Sequence, residues 1–458
     1  MDLYNTLLPL QDSSQQWDIR IEGGVVVSMT PSSTTSTSRL PSILLPSLCH
    51  PHIHLDKPYL LTCNHSTSSN HPDYSDLAPQ SGSFNEALTN TSEAKKRYTG
   101  DDLYLRGSQL LASSYNQGVT CLRGFVELDH VTGLQPLQTA IRLKEDFADF
   151  VDIQICAFAQ DPIFSTQHGE ENRSTLVRAL KDFGSSIDVI GTTPYVESDD
   201  EASRRNIQWA VQTALEYKKH LDFHIEFNLQ GGNVMDLFNY LIDVLIDKSW
   251  PTHPGAPSVV LGHATRLTQA SHSDISLFAE RLRKNNLPLH FVGLPTSDLF
   301  MMGRPASDKV SEQETPLNRP CGTLNVPKMI QDYGLNACLS VNNVGNAFTP
   351  YGDGDPLGIA SWGVGLFHAG KVDDAKLLYG AVSTRAMEAI VPATGSLVER
   401  YTVGEGRPWF PMLLIRNEEY VEIASAGRKT LRVPARQRLA IQDVVWDPPE
   451  TRLRSVIR

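Results

Sequence analysis

From about residue 100 onwards, the chain alternates between two patterns of hydrophobic and polar positions. Segments whose apolar residues recur every three or four positions predict amphipathic helices, among them 101–118, 136–150 and 201–220. Short runs rich in β-branched and aromatic residues separate these segments and predict strands. The runs are 119–128, 151–160, 187–196, 221–229, 258–267, 287–295 and 337–344. The apolar stretch that leads into residues 49–54 adds an eighth strand.

Eight strands that alternate with helices predict a parallel sheet, and this number of units is typical of a (β/α)8 barrel. An open doubly wound sheet is the alternative, but no GxGxxG motif follows the first predicted strand to favour it. The fold class that we expect is therefore α/β, with a (β/α)8 TIM barrel at its centre.

Short β-branched segments lie on both sides of the predicted barrel. Residues 17–32 alternate apolar and polar positions around a Gly-Gly pair, which predicts a hairpin, and the tail of the chain has a similar character. We expect these pieces to pair into one small flanking β-sandwich. The predicted division is 1–46 and 395–458 for the sandwich and 47–394 for the barrel. A polar loop at 64–101 is long enough to form a lid.

Composition narrows the class of partner. The 458-residue chain carries a net charge of −12 and has no long basic run, which argues against binding to nucleic acid or to an anionic membrane. No stretch approaches the ~20 apolar residues that a membrane span needs. The six cysteines are scattered without a CxxC pair, as expected for reduced thiols in the cytoplasm. We therefore expect a cytoplasmic protein that acts on a small molecule, and we leave a homo-oligomer open.

Four histidines lie where predicted strands end. His52 and His54 are two positions apart in the first strand, so their side chains share a face. His224 and His263 follow in the fifth and sixth strands, and the carboxyl ends of barrel strands meet at one rim. Imidazoles that converge there suit one divalent metal ion such as Zn²⁺ or Fe²⁺. The alternative is a set of unrelated histidines at the barrel mouth.

The sequence around these histidines resembles a known family. PHIHLDK, at residues 51–57, is similar to the first-strand motif of the amidohydrolase superfamily, and its Leu-Asp continuation resembles the cytosine deaminase-like branch. Further stretches resemble that branch in the same order, namely AFAQDPI, IGTTPYVE, GHATRL, HFVGLPTSDLFMMGR and NNVGNAFTPYGDGDPL. The similarity covers roughly residues 15–425. It implies a metal-dependent hydrolase built on a (β/α)8 barrel.

The resemblance also implies roles for particular residues. The metal would be held by His52, His54 and His224 together with an aspartate at the end of the eighth strand, which takes a proton from the attacking water. His263 would stabilise the tetrahedral intermediate, and Gln160, in AFAQDPI, would contact the substrate. A glutamate three positions after the fifth-strand histidine would pass protons to a ring nitrogen of the substrate.

Two of these positions depart from the family pattern. Asn342 replaces the aspartate, and it can offer a neutral amide oxygen to a metal but cannot act as a base. Phe227 replaces the glutamate and makes that wall of the substrate site apolar. Glu226 could substitute, because strand alternation puts it on the face of His224; the alternative is a solvated or salt-bridged rim glutamate. Loss of a positioned general base costs about 10²–10⁴ in rate.

Other polar residues near the predicted rim have structural or functional interpretations. Asp56 is expected to orient an imidazole, and Lys57 to form a structural ion pair. Arg304 could anchor a substrate carbonyl or carboxylate, in a loop whose Met and Phe residues indicate an apolar pocket wall. Asp298 is interpreted as a loop cap, and His290 as a packed core histidine.

The leading hypothesis is a mononuclear metal-dependent hydrolase that cleaves a non-peptide C–N bond of a small cyclic amide, amidine or N-heterocycle. Deamination of cytosine itself is not expected, because Phe227 stands at the position of the glutamate that this reaction uses. One alternative is a metalloenzyme that uses Lewis acidity for cyclisation, elimination or isomerisation. Another is a binding protein that keeps the fold without catalysis.

Overall fold

The computed structural model describes residues 1–32, 40–62, 71–229, 232–303, 322–391, 400–426 and 429–458, apart from the side chains of Ser13 and Lys429. Its strands are β1 (Asp2–Leu8), β2 (Asp12–Glu22), β3 (Val25–Pro31), β4 (Ser42–Pro46), β5 (Leu48–His54), β6 (Val119–Glu127), β7 (Asp152–Ala159), β8 (Val189–Thr192), β9 (His220–Ile225), β10 (Val259–His263), β11 (Leu289–Gly293), β12 (Ala337–Leu339), β13 (Met412–Ile415), β14 (Tyr420–Ser425), β15 (Lys429–Pro434) and β16 (Arg454–Ile457).

Its α-helices are α1 (Phe84–Lys95), α2 (Gly100–Gln117), α3 (Gln135–Asp146), α4 (Gly169–Phe183), α5 (Asp200–Tyr217), α6 (Asp236–Asp247), α7 (His272–Lys284), α8 (Pro295–Met301), α9 (Val326–Tyr333), α10 (Pro356–Leu366), α11 (Val372–Ala381), α12 (Thr384–Ile390) and α13 (Ile441–Trp446). Among these helices, none is both long and apolar enough to cross a lipid bilayer.

The strands β5 to β12 form one sheet of eight parallel strands that follow each other in chain order. Most of their residues are buried on both faces, because side chains fill the interior and helices cover the outside. The sheet closes where the Asn342 main chain bonds to β5: its N–H donates to the His52 carbonyl (3.1 Å) and its carbonyl accepts from the His54 N–H (2.9 Å). The predicted (β/α)8 barrel is confirmed, and an open doubly wound sheet is not formed.

Helix α2 shows how local sequence sets the length of a barrel helix. It begins after Thr99, whose hydroxyl accepts the N–H of Asp102, and it ends at Gln117 with Gly118 as its C-cap. Gly118 has a φ of 106°, a left-handed conformation that glycine adopts without strain. A side chain there would also lie 2.7 Å from Leu413 Cδ1, so the end of α2 packs directly against β13.

The strands outside the barrel come from both ends of the chain. Six of them form a sheet in the order β16-β13-β4-β1-β2-β3, and β14 pairs with β15 in a separate two-stranded sheet. The six-stranded sheet is antiparallel except where β1 runs parallel to β4. The expected flanking β unit from both termini is thus confirmed. Its predicted boundary at residue 394 lies outside the described residues.

Candidate metal centre

Three histidine side chains meet at the carboxyl ends of β5 and β9. His52 and His54 lie in the last three residues of β5, and His224 lies one residue before the end of β9. The Nε2 atom of His224 is 3.0 Å from Nε2 of His52 and 3.2 Å from Nε2 of His54. All three side chains are buried. The expected convergence of these imidazoles is therefore present in the fold.

Burial keeps these imidazoles neutral. Loss of hydration lowers the pKa of His52, His54 and His224 well below its usual value, and neighbouring cationic or imidazole groups lower it further. A neutral imidazole carries a free lone pair on one nitrogen, and such nitrogens 3.0–3.2 Å apart form a donor set that suits a zinc-class ion. The residues present therefore fit a divalent metal.

Two buried carboxylates lie behind the ring nitrogens that face away from this centre. Asp222 Oδ1 is 3.7 Å from His52 Nδ1, and Asp56 Oδ1 is 3.5 Å from His54 Nδ1. Burial raises the pKa of Asp222 to about 7, although Arg123, at 2.8 Å, opposes the shift. Neither contact is a hydrogen bond, so the orienting role expected of Asp56 stays a prediction. Sequence reasoning missed Asp222, although strand alternation puts it on the same face of β9 as His224.

The sixth-strand histidine, His263, faces the same centre and is held by a carboxylate. One ligand atom from each of His52, His224 and His263 lies within 4.8 Å of the others. The Nδ1 of His263 is 2.8 Å from Asp298 Oδ1, and because a carboxylate only accepts, this nitrogen carries the proton. Burial raises the pKa of Asp298, while the hydrogen bond from His263 opposes that rise. Asp298 does accept the N–H of Leu294, as a cap would (3.2 Å), but the expectation of a cap alone missed its contact with His263.

Asn342 lies beside His263 at the seam of the barrel. Its Nδ2 donates to Ser297 Oγ (2.9 Å) and lies 3.4 Å from His263 Nε2. Its Oδ1 is buried and accepts no hydrogen bond from the residues that the structure describes. A buried amide oxygen without such a partner is compatible with the expected neutral ligand, and that role of Asn342 stays a prediction.

The structure corrects the geometric argument for Glu226. Strand β9 ends at Ile225, and Glu226 has a φ of 50°, so alternation along a strand does not set its direction. Its carboxylate instead bonds to Arg266 Nη1 at 2.7 Å. Burial raises the pKa of Glu226, and Arg266 opposes the shift. Phe227 does line the site, since its ring stacks on His263 with the centroids 3.8 Å apart.

A buried polar corner adjoins the histidines. The Lys57 ammonium donates to Gln160 Oε1 (2.6 Å) and pairs with Glu127, which confirms the expected ion pair. Ligand atoms of His54, Asp56 and Glu127 also lie within 4.8 Å of one another. Lys57 and Lys95 already neutralise Glu127, so this second group is less suited to a metal than the histidine centre.

Apolar side chains form a cluster beside the histidines and reach them through Phe227, which stacks on His263. They form one cluster that draws on α1, α8 and the ends of strands, and it contains Phe84, Tyr195, Phe227, Phe300, Met301, Met302 and Phe348. The rings of Phe84 and Phe227 meet edge to face, with centroids 5.8 Å apart. The apolar wall expected from the Phe-Met-Met sequence is present. Arg304, the expected anchor for substrate, lies outside the described residues.

The known proteins that this chain resembles are distant from it in sequence. No family model matches the chain. It is 22% identical over 361 residues to the uncharacterized protein YahJ of Escherichia coli strain K12, an alignment that covers 77% of this chain and 68% of that protein.

Two solved structures share the architecture. One is 5-methylcytosine deaminase from Klebsiella pneumoniae liganded with phosphonocytosine, with a TM-score of 0.74, 19% identity, and coverage of 100% of this chain and 95% of that chain. The other is N-isopropylammelide isopropylaminohydrolase from Burkholderia multivorans ATCC 17616, with a TM-score of 0.66, 17% identity, and coverage of 97% and 94%. The chain thus has the fold of these two proteins, a (β/α)8 barrel with a flanking β-sheet, as its sequence predicts.

Proposed function

We propose that this protein is a mononuclear metal-dependent hydrolase that cleaves a C–N bond of a small cyclic amide, amidine or N-heterocycle. The observation that carries the proposal is the convergence of three neutral imidazole nitrogens at the carboxyl ends of barrel strands. The two solved neighbours support it, because their names denote a deaminase of 5-methylcytosine and an aminohydrolase of N-isopropylammelide.

The proposed roles follow the positions of the side chains. His52, His54 and His224 hold the ion, and the open amide oxygen of Asn342 is a neutral fourth ligand. A bound ion of the zinc class polarises a carbonyl oxygen and acidifies water. His263, held by Asp298, stabilises negative charge that develops on the substrate.

The walls of the site would fix the ring of the substrate. Gln160 meets its polar edge, and Phe227 covers one apolar face. Glu226 is a weaker candidate for proton transfer, because it must leave Arg266 before its carboxylate can reach the substrate. An apolar enclosure with one polar corner suits a small, planar, uncharged molecule.

A second candidate function is Lewis-acid chemistry without hydrolysis. Asn342 favours it, since an amide in the place of the family's aspartate cannot accept a proton from water. The nearby carboxylates of Asp298 and Glu226 are engaged with His263 and Arg266. A cyclisation or isomerisation would not need a base to activate water.

The two candidates differ in whether oxygen from water enters the product. We would load the protein with zinc, iron or manganese and incubate it with cyclic amides, amidines and amino-substituted N-heterocycles in ¹⁸O-labelled water. The proposal expects a released amine or ammonia and a labelled product, seen by mass spectrometry and absent in the His52→Ala/His54→Ala variant. An unlabelled product of unchanged mass would favour the second candidate, and no turnover with any metal would contradict both.

A further inference from the structure

Lys57 is an unusual residue to find almost completely buried at the mouth of a barrel. It follows the metal-binding strand β5 by three residues, and it is 1% exposed. Its ammonium donates to Gln160 Oε1 at 2.6 Å and pairs with the Glu127 carboxylate. A buried lysine needs partners of this kind, because an isolated charge in this environment is costly.

The contact fixes which way the Gln160 side chain points. An ammonium group has donors only, so the amide atom that lies 2.6 Å from it must be the oxygen. The amide nitrogen of Gln160 then points elsewhere, and it donates to no residue that the structure describes. The main chain is also held, because the Gln160 carbonyl accepts the Thr193 hydroxyl at 2.6 Å. Gln160 therefore presents its NH₂ group as a fixed donor.

Lys57 is itself held by a chain of buried charges. Glu127 lies between Lys57 and Lys95, and the Lys95 ammonium also reaches Asp129 (2.8 Å) and Asp161 (3.2 Å). Among these five charged groups, Asp161 has the most exposed side chain, at 28%, and the other four are almost completely buried. The ammonium of Lys57 cannot leave Gln160 without separating a buried ion pair, so the orientation of the amide is set by the protein and not by the ligand.

We propose that Lys57 is a positioning residue that locks the Gln160 amide, so that this corner of the site accepts a ligand with a hydrogen-bond acceptor, such as a ring carbonyl. A ligand that presents an amino group to this corner places one hydrogen-bond donor against another, the NH₂ of Gln160, and no hydrogen bond forms between them. The inference rests on the proposed function only in taking Gln160 as a substrate contact. It narrows the substrate class to rings whose polar edge carries an acceptor.

The test compares two neutral ring molecules of similar size. In 2-pyridone the carbonyl oxygen accepts, whereas in aniline the amino group donates. We would measure the binding of each to zinc-loaded protein by calorimetry. The wild type is expected to prefer 2-pyridone by about 10-fold, because aniline leaves the NH₂ donor of Gln160 unpaired.

Three variants separate positioning from a merely structural role. Gln160→Glu keeps the contact with the Lys57 ammonium but offers only acceptors, so it should reverse the preference. Lys57→Met lets the amide turn over, so the ratio of the two affinities should fall toward unity. Lys96→Met removes an exposed lysine that pairs with Glu93 and should leave the ratio unchanged.

The outcomes distinguish this inference from the proposed function. If Lys57→Met fails to fold, its place is taken by Lys57→Met/Glu127→Gln, which also removes the carboxylate that has lost one of its two lysine partners. A ratio that is the same in the wild type and the Lys57 variant, or no binding of either probe to the wild type, would overturn the inference. If the protein prefers 2-pyridone in a way that depends on Lys57 and yet cleaves no C–N bond in the substrate panel, that result would support the inference and count against the proposed hydrolysis.

Discussion

Asp298 lies 35 residues after His263 in the sequence, yet its carboxylate is the hydrogen-bond partner of the His263 ring. The side chain of Asn342 carries no charge, whereas the Asp298 carboxylate lies behind the neighbouring His263 ring. Spacing along β5 was enough to predict that His52 and His54 share a site. The contact of Asp298 could not be predicted, because it depends on how α8 turns back over the rim.

Replacing Asp298 with asparagine tests the importance of this contact. An amide weakens the charge-assisted hydrogen bond to Nδ1 and lets the imidazole turn. Asp298→Asn should lower kcat/KM on a substrate found in the panel by about 10–100-fold and leave metal content unchanged. The control is Asp243→Asn on α6, where the carboxylate is 64% exposed and pairs with Arg281. Equal losses in both variants would contradict a specific role for Asp298.

At the scale of the element, the strands that carry the site end in unusual conformations. Glu226, His263 and Asn342 have φ values of 50°, 65° and 65°. Such conformations cost about 1–3 kcal/mol each and concentrate at functional sites. The predicted runs extend to residues 229, 267 and 344, past the observed strand ends at Ile225, His263 and Leu339, and the sequence did not show that the chain turns this way. The alternation argument for Glu226 failed for this reason.

Gly262, next to His263 on β10, makes room for the His52 ring on β5. A Cβ at this position would lie 2.6 Å from His52 Cε1. Gly262→Ala should therefore displace the His52 ring, lower the metal content and destabilise the fold by about 1–3 kcal/mol. Gly365→Ala on α10 is the matched control, because an added Cβ there meets no atom within 4 Å. Wild-type metal affinity in Gly262→Ala would show that His52 does not need this space.

At the scale of the whole molecule, the alternation of helical and strand patterns was enough to predict the barrel and its flanking sheet. Closure by the Asn342 main chain and the packing of Gly118 on Leu413 could not be predicted from the sequence and needed the three-dimensional structure.

The end of the barrel opposite the candidate metal centre contains His290, near the start of β11. It is buried, as expected for a core histidine, and burial lowers its pKa to about 4.

This histidine makes stability depend on pH. The native pKa lies below the value of 6.5 for an unperturbed histidine, so the unfolded chain takes up a proton first as pH falls. The contribution of His290 to the free energy of unfolding is fully present above pH 6.5. This contribution falls by about 3 kcal/mol as the pH drops to 4. We would measure the free energy of unfolding in urea for the wild type and for His290→Gln. Between pH 6.5 and 4 this free energy should fall less in the variant, and at pH 7–8 it should vary with pH in the same way in both proteins. Parallel courses at all pH values would contradict the prediction.

The central claim is that His52, His54 and His224 form a metal centre despite Asn342. Its most direct test is elemental analysis of freshly purified protein beside the His52→Ala/His54→Ala variant, with circular dichroism to confirm that both are folded. We predict close to one equivalent of zinc, iron or manganese per chain in the wild type and its loss in the variant. Folded wild-type protein without bound metal, which takes up none on addition of these ions, would contradict the claim.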